Sequence, residues 1–280
     1  MLSYKHEFHA GNFADVLKHT VLIQILNYLR QKDKGFCYID THAGSGDYSL
    51  TSEQAQKNRE FDEGIGQLWQ RQDLPDAVSD YLTMIKRFNP PTQLKRYPGS
   101  PLIAQQLLRP QDRLIACELH NTEIKLLARA LPKHKYIKIY HDDGFKQTLA
   151  LLPPIERRGL VLVDPSYELK SDYRQVTDAL IEYHKRFATG VYALWYPVIK
   201  RSRIRTLEKT LQNSGMNDLL LVELCIRPDS ENDGMTGCGM IIINPPWTLA
   251  PTMKTVLPWL ANVLSQNNSG SYQLKILAKH

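Results

Sequence analysis

The chain has 280 residues, 42% of them hydrophobic and 23% charged, with a mean hydropathy of -0.37, which is the composition of a soluble protein able to bury one large core. No apolar run approaches the ~20 residues that a membrane helix needs, and Met1 to His9 is too polar for a secretory signal, so a cytoplasmic protein is expected. A net charge of +6 and a pI near 9.0 admit a polyanionic partner without requiring one, while Cys37, Cys117, Cys225 and Cys238 form no C-x-x-C pair and read as buried free thiols of a reducing compartment.

Met1 to Asn12 is polar and rich in rings, with Tyr4, His6, Phe8 and His9. Over Phe13 to Arg30 the spacing of Val16, Leu17, Val21, Leu22, Ile25, Leu26 and Leu29 predicts an amphipathic helix that starts at Asn12, a good capping type, and carries Lys18 and His19. Gly35 to Asp40 predicts the first buried strand, and Asp40-Thr41-His42-Ala43-Gly44-Ser45-Gly46 follows at once. A strand, an acid and Gly-x-Gly receive nucleotide-type ligands because the glycines let the backbone approach closely. Tyr48 and Ser49 stand where the third glycine of the dinucleotide fingerprint would fall, which favours a methyl-donor nucleoside over NAD.

The next predicted strand, Arg113 to Cys117, ends at Glu118, 72 positions after Gly46, where a plain βαβ unit would place its acid after about 20. The excess holds Glu53 to Phe88, whose apolar spacing predicts helices around a Leu74-Pro75 break. Residues 51–97 therefore read as a helical insertion subdomain within a domain formed by 1–50 and 98–280. Pro98-Gly99-Ser100-Pro101 opens a further helix with Ser100 as its cap and Pro101 at its first position; its N-terminus either receives a carboxylate ligand or is an ordinary cap. Tyr136 to Tyr140 is the third strand and stops at His141-Asp142-Asp143-Gly144, an acid and glycine placed to meet a purine amino group or to close a turn.

Leu160 to Val163, the fourth strand, is an unbroken apolar run that ends in Asp164-Pro165-Ser166-Tyr167. Such runs belong to strands buried on both faces, and their carboxyl ends are where open parallel sheets bind ligands. Gly190 to Tyr196, Leu219 to Ile226 and Gly239 to Ile243 follow, with a helix around Ser202 to Ser214. Only Arg227 to Cys238 joins the last two strands, too little for a crossover helix, so they pair antiparallel. The tail from Gln266 reads as loose until a short Tyr272 to Leu277 segment. The expected fold is α/β, a Rossmann-like class I methyltransferase architecture: a seven-stranded, mostly parallel sheet with an antiparallel last strand, plus the small helical insertion.

Asp-Pro-Ser-Tyr resembles the Asp/Asn-Pro-Pro-aromatic signature of amino-group methyltransferases that use S-adenosylmethionine. A conjugated amine is a poor nucleophile because its lone pair is delocalised into the ring. A carboxylate and a main-chain carbonyl that accept its two N–H groups favour a pyramidal nitrogen, and a stacked ring holds the base in line. Asp164, the Pro165 carbonyl and Tyr167 fit those roles, and Asp164 can receive the released proton. Asn244-Pro245-Pro246-Trp247 is a better literal match, but it ends the antiparallel strand and so leaves at the opposite sheet edge. His6-x-x-His9, His19 and His42 complete no metal pattern, and no metal is expected.

Beyond this motif the chain resembles, over nearly its full length, the bacterial 23S rRNA adenine-N6 methyltransferase J family. The resemblance is carried by Met1-Leu2-Ser3-Tyr4-Lys5-His6, Phe8-His9-Ala10-Gly11-Asn12, Ala14-Asp15-Val16-Leu17-Lys18-His19, Asp40-Thr41-His42-Ala43-Gly44, Tyr97-Pro98-Gly99-Ser100-Pro101, Ala193-Leu194-Trp195-Tyr196-Pro197 and Gly239-Met240 through Trp247. It implies donor contacts at His19, His42, Gly44, Ser100, Glu118, Asp143, Gly144 and Asp164. It also implies catalysis by Asp164, Pro165 and Tyr167 with Lys18 nearby, and contact of Tyr4, His6 and Tyr167 with the RNA base. The family has proline where this chain has Ser166, so the loop loses rigidity and gains an N–H donor. The implied cofactor is S-adenosylmethionine and the implied partner 23S rRNA, protein-free or in early assembly, met by a monomer. Lys57, Arg59, Lys86, Arg87, Lys95 and Arg96, on or beside the insertion, suit RNA phosphates or a solvated face. The competing readings are a DNA adenine-N6 methyltransferase, against which the absence of a separate target-recognition domain weighs, and a non-catalytic RNA-binding protein that holds the donor as a structural ligand.

Overall fold

The computed structural model describes residues 5–169, 171–230 and 234–278. After a 3-10 turn at His6–Phe8, the chain forms α1 (Phe13–Arg30), β1 (Cys37–Asp40), β2 (Asp47–Ser49), α2 (Glu53–Asn58), a second 3-10 turn at Glu60–Glu63, α3 (Ile65–Leu68), α4 (Asp76–Lys86) and β3 (Arg96–Pro98). Then come α5 (Ser100–Leu107), β4 (Arg113–Cys117), α6 (Glu123–Ala130), β5 (Ile137–Tyr140), α7 (Gly144–Leu151), β6 (Gly159–Val163), α8 (Asp172–Arg186) and β7 (Val191–Val198). The chain closes with α9 (Arg201–Gln212), β8 (Leu219–Cys225), β9 (Gly237–Ile243), α10 (Leu249–Val263) and β10 (Ser271–Ala278).

Among the described residues eight strands form the central sheet, in the order β10-β8-β9-β7-β6-β1-β4-β5, and β2 with β3 makes a separate ribbon. β1 pairs in parallel with both β4 and β6, and β4–β5 and β6–β7 are parallel as well. β9 runs antiparallel between β7 and β8, and β10 runs antiparallel along the outer side of β8. The sheet therefore has one strand more than the sequence pattern predicts, and two antiparallel strands instead of one. Ser271–Ala278 alternates Tyr272, Leu274 and Ile276 with polar residues, a half-exposed edge strand whose short apolar content hides it in a sequence. The tail from Gln266 is not loose: the Gln266 amide donates to the Ile226 carbonyl, and a turn through Asn267 and Asn268, both at positive φ, leads into β10.

Apolar side chains cover both faces of the sheet. On one face α1, α4, α5 and α10 share a core, and on the other α8 and α9 pack over a second core that holds Tyr167, Tyr173 and Tyr183. α1 begins where predicted, with the Asn12 side chain accepting from the Ala14 and Asp15 amides. It is not a half-wet amphipathic helix, however: fourteen of its eighteen residues are buried. The sheet lies against one side of it and α4, α5 and α10 against the others. Phe61, Ile65, Leu68, Val78, Tyr81 and Ile85, from the stretch 51–97 that the sequence reads as an insertion, belong to the same core as α1. Among the described residues no helix is long and apolar enough to cross a membrane. All four cysteines are free and buried.

Candidate active site

The register of the parallel strands sets the site. Asp40 on β1 faces Ala116 on β4 and Leu162 on β6, so the loops that follow Asp40, Cys117 and Val163 leave the sheet at one level. They surround a cleft of about 440 Å³, in the size range of small-molecule sites. Gly44 and Gly46 adopt positive φ, +59° and +76°, which lets the loop after β1 turn back over the edge. The Gly44 amide donates to Glu118 Oε2 at 2.8 Å and the His120 amide to Oε1 at 2.7 Å. Glu118 is thus fixed by two backbone donors in the wall of the cleft. Asp40 itself lies fully buried behind that wall, accepting from the Tyr38 hydroxyl and the Ser100 hydroxyl, each at 2.7 Å. Burial pushes its carboxyl up to about 6.

Ser100 is therefore not the cap of α5. Gly99 takes the cap position, Ser100 is the first helical residue, and its hydroxyl donates to the Asp40 carboxyl. Asp143 caps α7, accepting from the Phe145 and Lys146 amides at 2.9 and 3.3 Å, while it also lines the cleft. Gly144 begins that helix so close to the loop after β1 that an added Cβ would stand 1.8 Å from the Thr41 carbonyl oxygen.

The opposite end of the cleft holds Asp164. Its Oδ2 accepts from Lys18 Nζ at 2.6 Å, and Lys18 Nζ lies 2.9 Å from Asp15 Oδ1. Asp15 Oδ2 in turn accepts from the Gly11 amide at 2.8 Å and meets His6 Nε2 at 2.9 Å. Burial opposes the charge on Lys18, but Asp15 and Asp164 outweigh it and hold the ammonium group well above its ordinary range. Burial likewise works against Asp15, and His6 and Lys18 outweigh it, keeping that carboxyl well below the usual range. His9 reaches a different partner, Glu60, with Nδ1 2.9 Å from Oε1.

His19 and His42 also line the cleft. His19 Nδ1 lies 2.8 Å from the Tyr97 hydroxyl, and burial drives the imidazole down to about 3. His42 packs edge-on against Phe145, with ring centroids 4.9 Å apart, and burial lowers it to about 4. Both rings are neutral at physiological pH, suited to hydrogen bonding rather than to ion pairing.

Of the residues expected at the site, Lys18, His19, His42, Gly44, Ser100, Glu118, Asp143, Gly144, Asp164, Pro165 and His6 are brought together around this one cleft. Tyr4 lies outside the described residues. Tyr167 departs from its expected place. It has a positive φ of 53°, which turns its ring away from the cleft and into the core beneath β7, 4.6 Å from Tyr173 by ring centroids. Its hydroxyl donates to the Trp195 carbonyl at 2.8 Å. Tyr167 is buried and does not line the cleft, whereas Trp195 does, with Lys18 Nζ 5.9 Å from its ring centre. Trp195 and Asp15 are the residues that motif reasoning missed. The (i, i+3) spacing of Asp15 and Lys18 on a helix is the signal that could have found Asp15; nothing local marks Trp195 as facing the cleft. Asn244 sits at the far edge of the sheet, where its side-chain amide donates to the Ala188 and Gly190 carbonyls at 2.8 and 2.7 Å.

An open sheet of this order, with a Gly-x-Gly loop after its first strand and a fixed acid after the second, has the fold of the class I methyltransferases. Comparison with known proteins narrows the class: residues 33–278 match the family model described as "Ribosomal RNA large subunit methyltransferase D, RlmJ", and the chain belongs to that family. It is 50% identical over 276 residues to the Ribosomal RNA large subunit methyltransferase J of Haemophilus influenzae, covering 98% of each chain. It is also 50% identical over 270 residues to the protein of that name from Escherichia coli, covering 96% of each. Among solved structures, protein LPL1258 from Legionella pneumophila superposes with a TM-score of 0.89 at 40% identity, covering 96% of this chain and 98% of the other. The chain is accordingly a methyltransferase, and its cofactor is S-adenosylmethionine. The cleft fits such a group: a carboxylate held by backbone amides at Glu118, and a buried imidazole nitrogen, His19 Nε2, that has no partner among the described residues.

Proposed function

We propose that this methyltransferase modifies N6 of an adenine in 23S ribosomal RNA. The observation that carries the reading is Asp164, held through one oxygen by Lys18 at 2.6 Å, in the same cleft as Glu118 and beside Pro165 and Trp195. The names of the relatives support large-subunit ribosomal RNA as the substrate, and the Asp-Pro-Ser-Tyr segment supports a base amine as the acceptor.

S-adenosylmethionine, when bound, supplies an electrophilic methyl group. Glu118, Asp143 and Gly144 would hold the donor, the Glu118 carboxylate by accepting from hydroxyls and Asp143 and Gly144 by meeting a purine, and His19, His42 and Ser100 line the cleft toward Asp164. Lys18 fixes Oδ2 of Asp164, so Oδ1 is the oxygen left to accept one N–H of the adenine amine; the Pro165 carbonyl accepts the other. With both protons so engaged, the nitrogen lone pair is released from conjugation and aimed at the methyl group. Asp164 stabilises the positive charge that develops on nitrogen and then takes the proton. Trp195 supplies the face on which the base stacks, in place of Tyr167. Extruding the base costs a few kcal/mol in a duplex and less in a loop, which favours protein-free RNA or an early assembly intermediate over the finished subunit.

Incubation with labelled methyl donor and unmodified 23S rRNA is expected to yield N6-methyladenosine by nucleoside mass spectrometry. Asp164→Ala abolishes the product and Asn244→Ala spares it. Methylation of duplex DNA with none in the rRNA would overturn the assignment.

A further inference from the structure

We propose that a buried phenol of the inserted segment, Tyr97, with Tyr81 behind it, fixes His19 as the tautomer whose Nε2 carries the proton, so that His19 meets the donor's carboxylate as a neutral hydrogen-bond donor. Tyr81 comes from α4 and Tyr97 from β3. Their hydroxyl oxygens are 3.0 Å apart, and that of Tyr97 is 2.8 Å from His19 Nδ1. Tyr81 and Tyr97 are fully buried and His19 is 1% exposed. Nδ1 is taken by Tyr97, so Nε2 is the nitrogen left to meet a ligand, and it has no partner among the described residues.

The three groups form a closed chain in which each hydroxyl has one proton to place. If Tyr81 donates to Tyr97 and Tyr97 donates to Nδ1, every hydroxyl proton has an acceptor, and the imidazole proton must sit on Nε2. If instead Nδ1–H donates to Tyr97, then Tyr97 donates to Tyr81, and the Tyr81 proton is stranded in an apolar core. If Tyr81 and Nδ1–H both donate to Tyr97, the Tyr97 proton is stranded. A buried, unmatched hydroxyl is costly, so the first arrangement prevails. Burial keeps His19 neutral, at about 3, which excludes the doubly protonated ring. The inserted segment thereby reaches the donor pocket through its hydroxyls, without touching the donor.

The inference rests on the donor-binding role given to His19 above, and two readouts separate them. In the ¹⁵N spectrum of the full chain without ligand, with His19 assigned by comparison with His19→Gln, Nε2 is expected in the protonated range and Nδ1 in the unprotonated range. Tyr97→Phe averages the two nitrogens, raises the Kd for S-adenosylhomocysteine in calorimetry by about tenfold, the equivalent of one hydrogen bond, and raises donor KM with little change in kcat. Tyr81→Phe leaves Tyr97 able to donate, so the tautomer stays and Kd moves far less. An Nδ1–H form in the parent protein, or an unchanged spectrum in Tyr97→Phe, overturns the phenol chain. Undiminished S-adenosylhomocysteine binding by His19→Leu, whose side chain can donate nothing, overturns the placing of His19 at the donor whatever the spectrum.

Discussion

Lys18 is a buried cation between two carboxylates, 6% exposed against 1% for Asp15 and 16% for Asp164. Three charges that share a dry site are interdependent: removing the middle one leaves Asp15 beside Asp164 with no cation between them. Breaking a buried pair in this way costs about 3–5 kcal/mol. Lys18→Met is therefore expected to lower the midpoint of urea unfolding markedly at pH 7 and to abolish methyl transfer even below the unfolding transition. A variant that unfolds like the parent and methylates at the parent rate would show that the cation holds neither carboxylate. Asp164 could be picked out in the sequence because Asp-Pro-Ser-Tyr is contiguous. Its dependence on Lys18, 146 positions away, is a property of the folded chain alone.

At the scale of elements, the cleft depends on how closely the amino end of α7 approaches the loop after β1. Gly144 makes that approach possible, since a Cβ there would stand 1.8 Å from the Thr41 oxygen, a backbone atom that cannot move aside alone. Gly144→Ala is expected to displace α7 and with it Asp143, raising the Kd for S-adenosylhomocysteine in calorimetry by at least about tenfold, more than one hydrogen bond's worth. Far-ultraviolet circular dichroism should change little, and donor affinity equal to the parent's would mean that α7 tolerates the shift. The acid-glycine pair at 143–144 is legible in the sequence because its residues are adjacent, and the structure gives Asp143 both the cap of α7 and a place in the cleft wall. The cap of α5 was not, because Ser100 and Gly99 are both good caps and a carboxylate from β1, 60 residues away, decides between them.

At the scale of the whole molecule, the last described strand is one that the sequence pattern hides. β10 covers the outer edge of β8, and Gln273 reaches the fully buried Glu223, donating to Oε1 at 2.7 Å. Glu223 is also held by Arg201 and by the Tyr196 hydroxyl at 2.9 Å, so the last strand completes the partners of a buried carboxylate. Truncation after Gly270 bares seven residues of β8 as a flat apolar edge, the kind that pairs with other copies. Size-exclusion chromatography is expected to show aggregates, and a monodisperse truncated chain would show that β8 needs no cover.

By itself the sequence determined the alternation of strands and helices, the glycine loop after β1, the acids at Glu118 and Asp143 beyond their strands and the Asp-Pro-Ser-Tyr turn after β6. Each of these is written in a run of adjacent residues, where strand length, turn chemistry and the edge of a parallel sheet constrain one another. It also placed Asn244 at the wrong edge for chemistry, since strand direction follows from linker length. Only the tertiary structure decided that α1 is buried nearly all round, that Lys18 joins Asp15 to Asp164, and that Trp195 rather than Tyr167 faces the cleft. Those outcomes turn on which side chains meet across tens of residues and on one left-handed backbone angle, and neither leaves a local pattern to read.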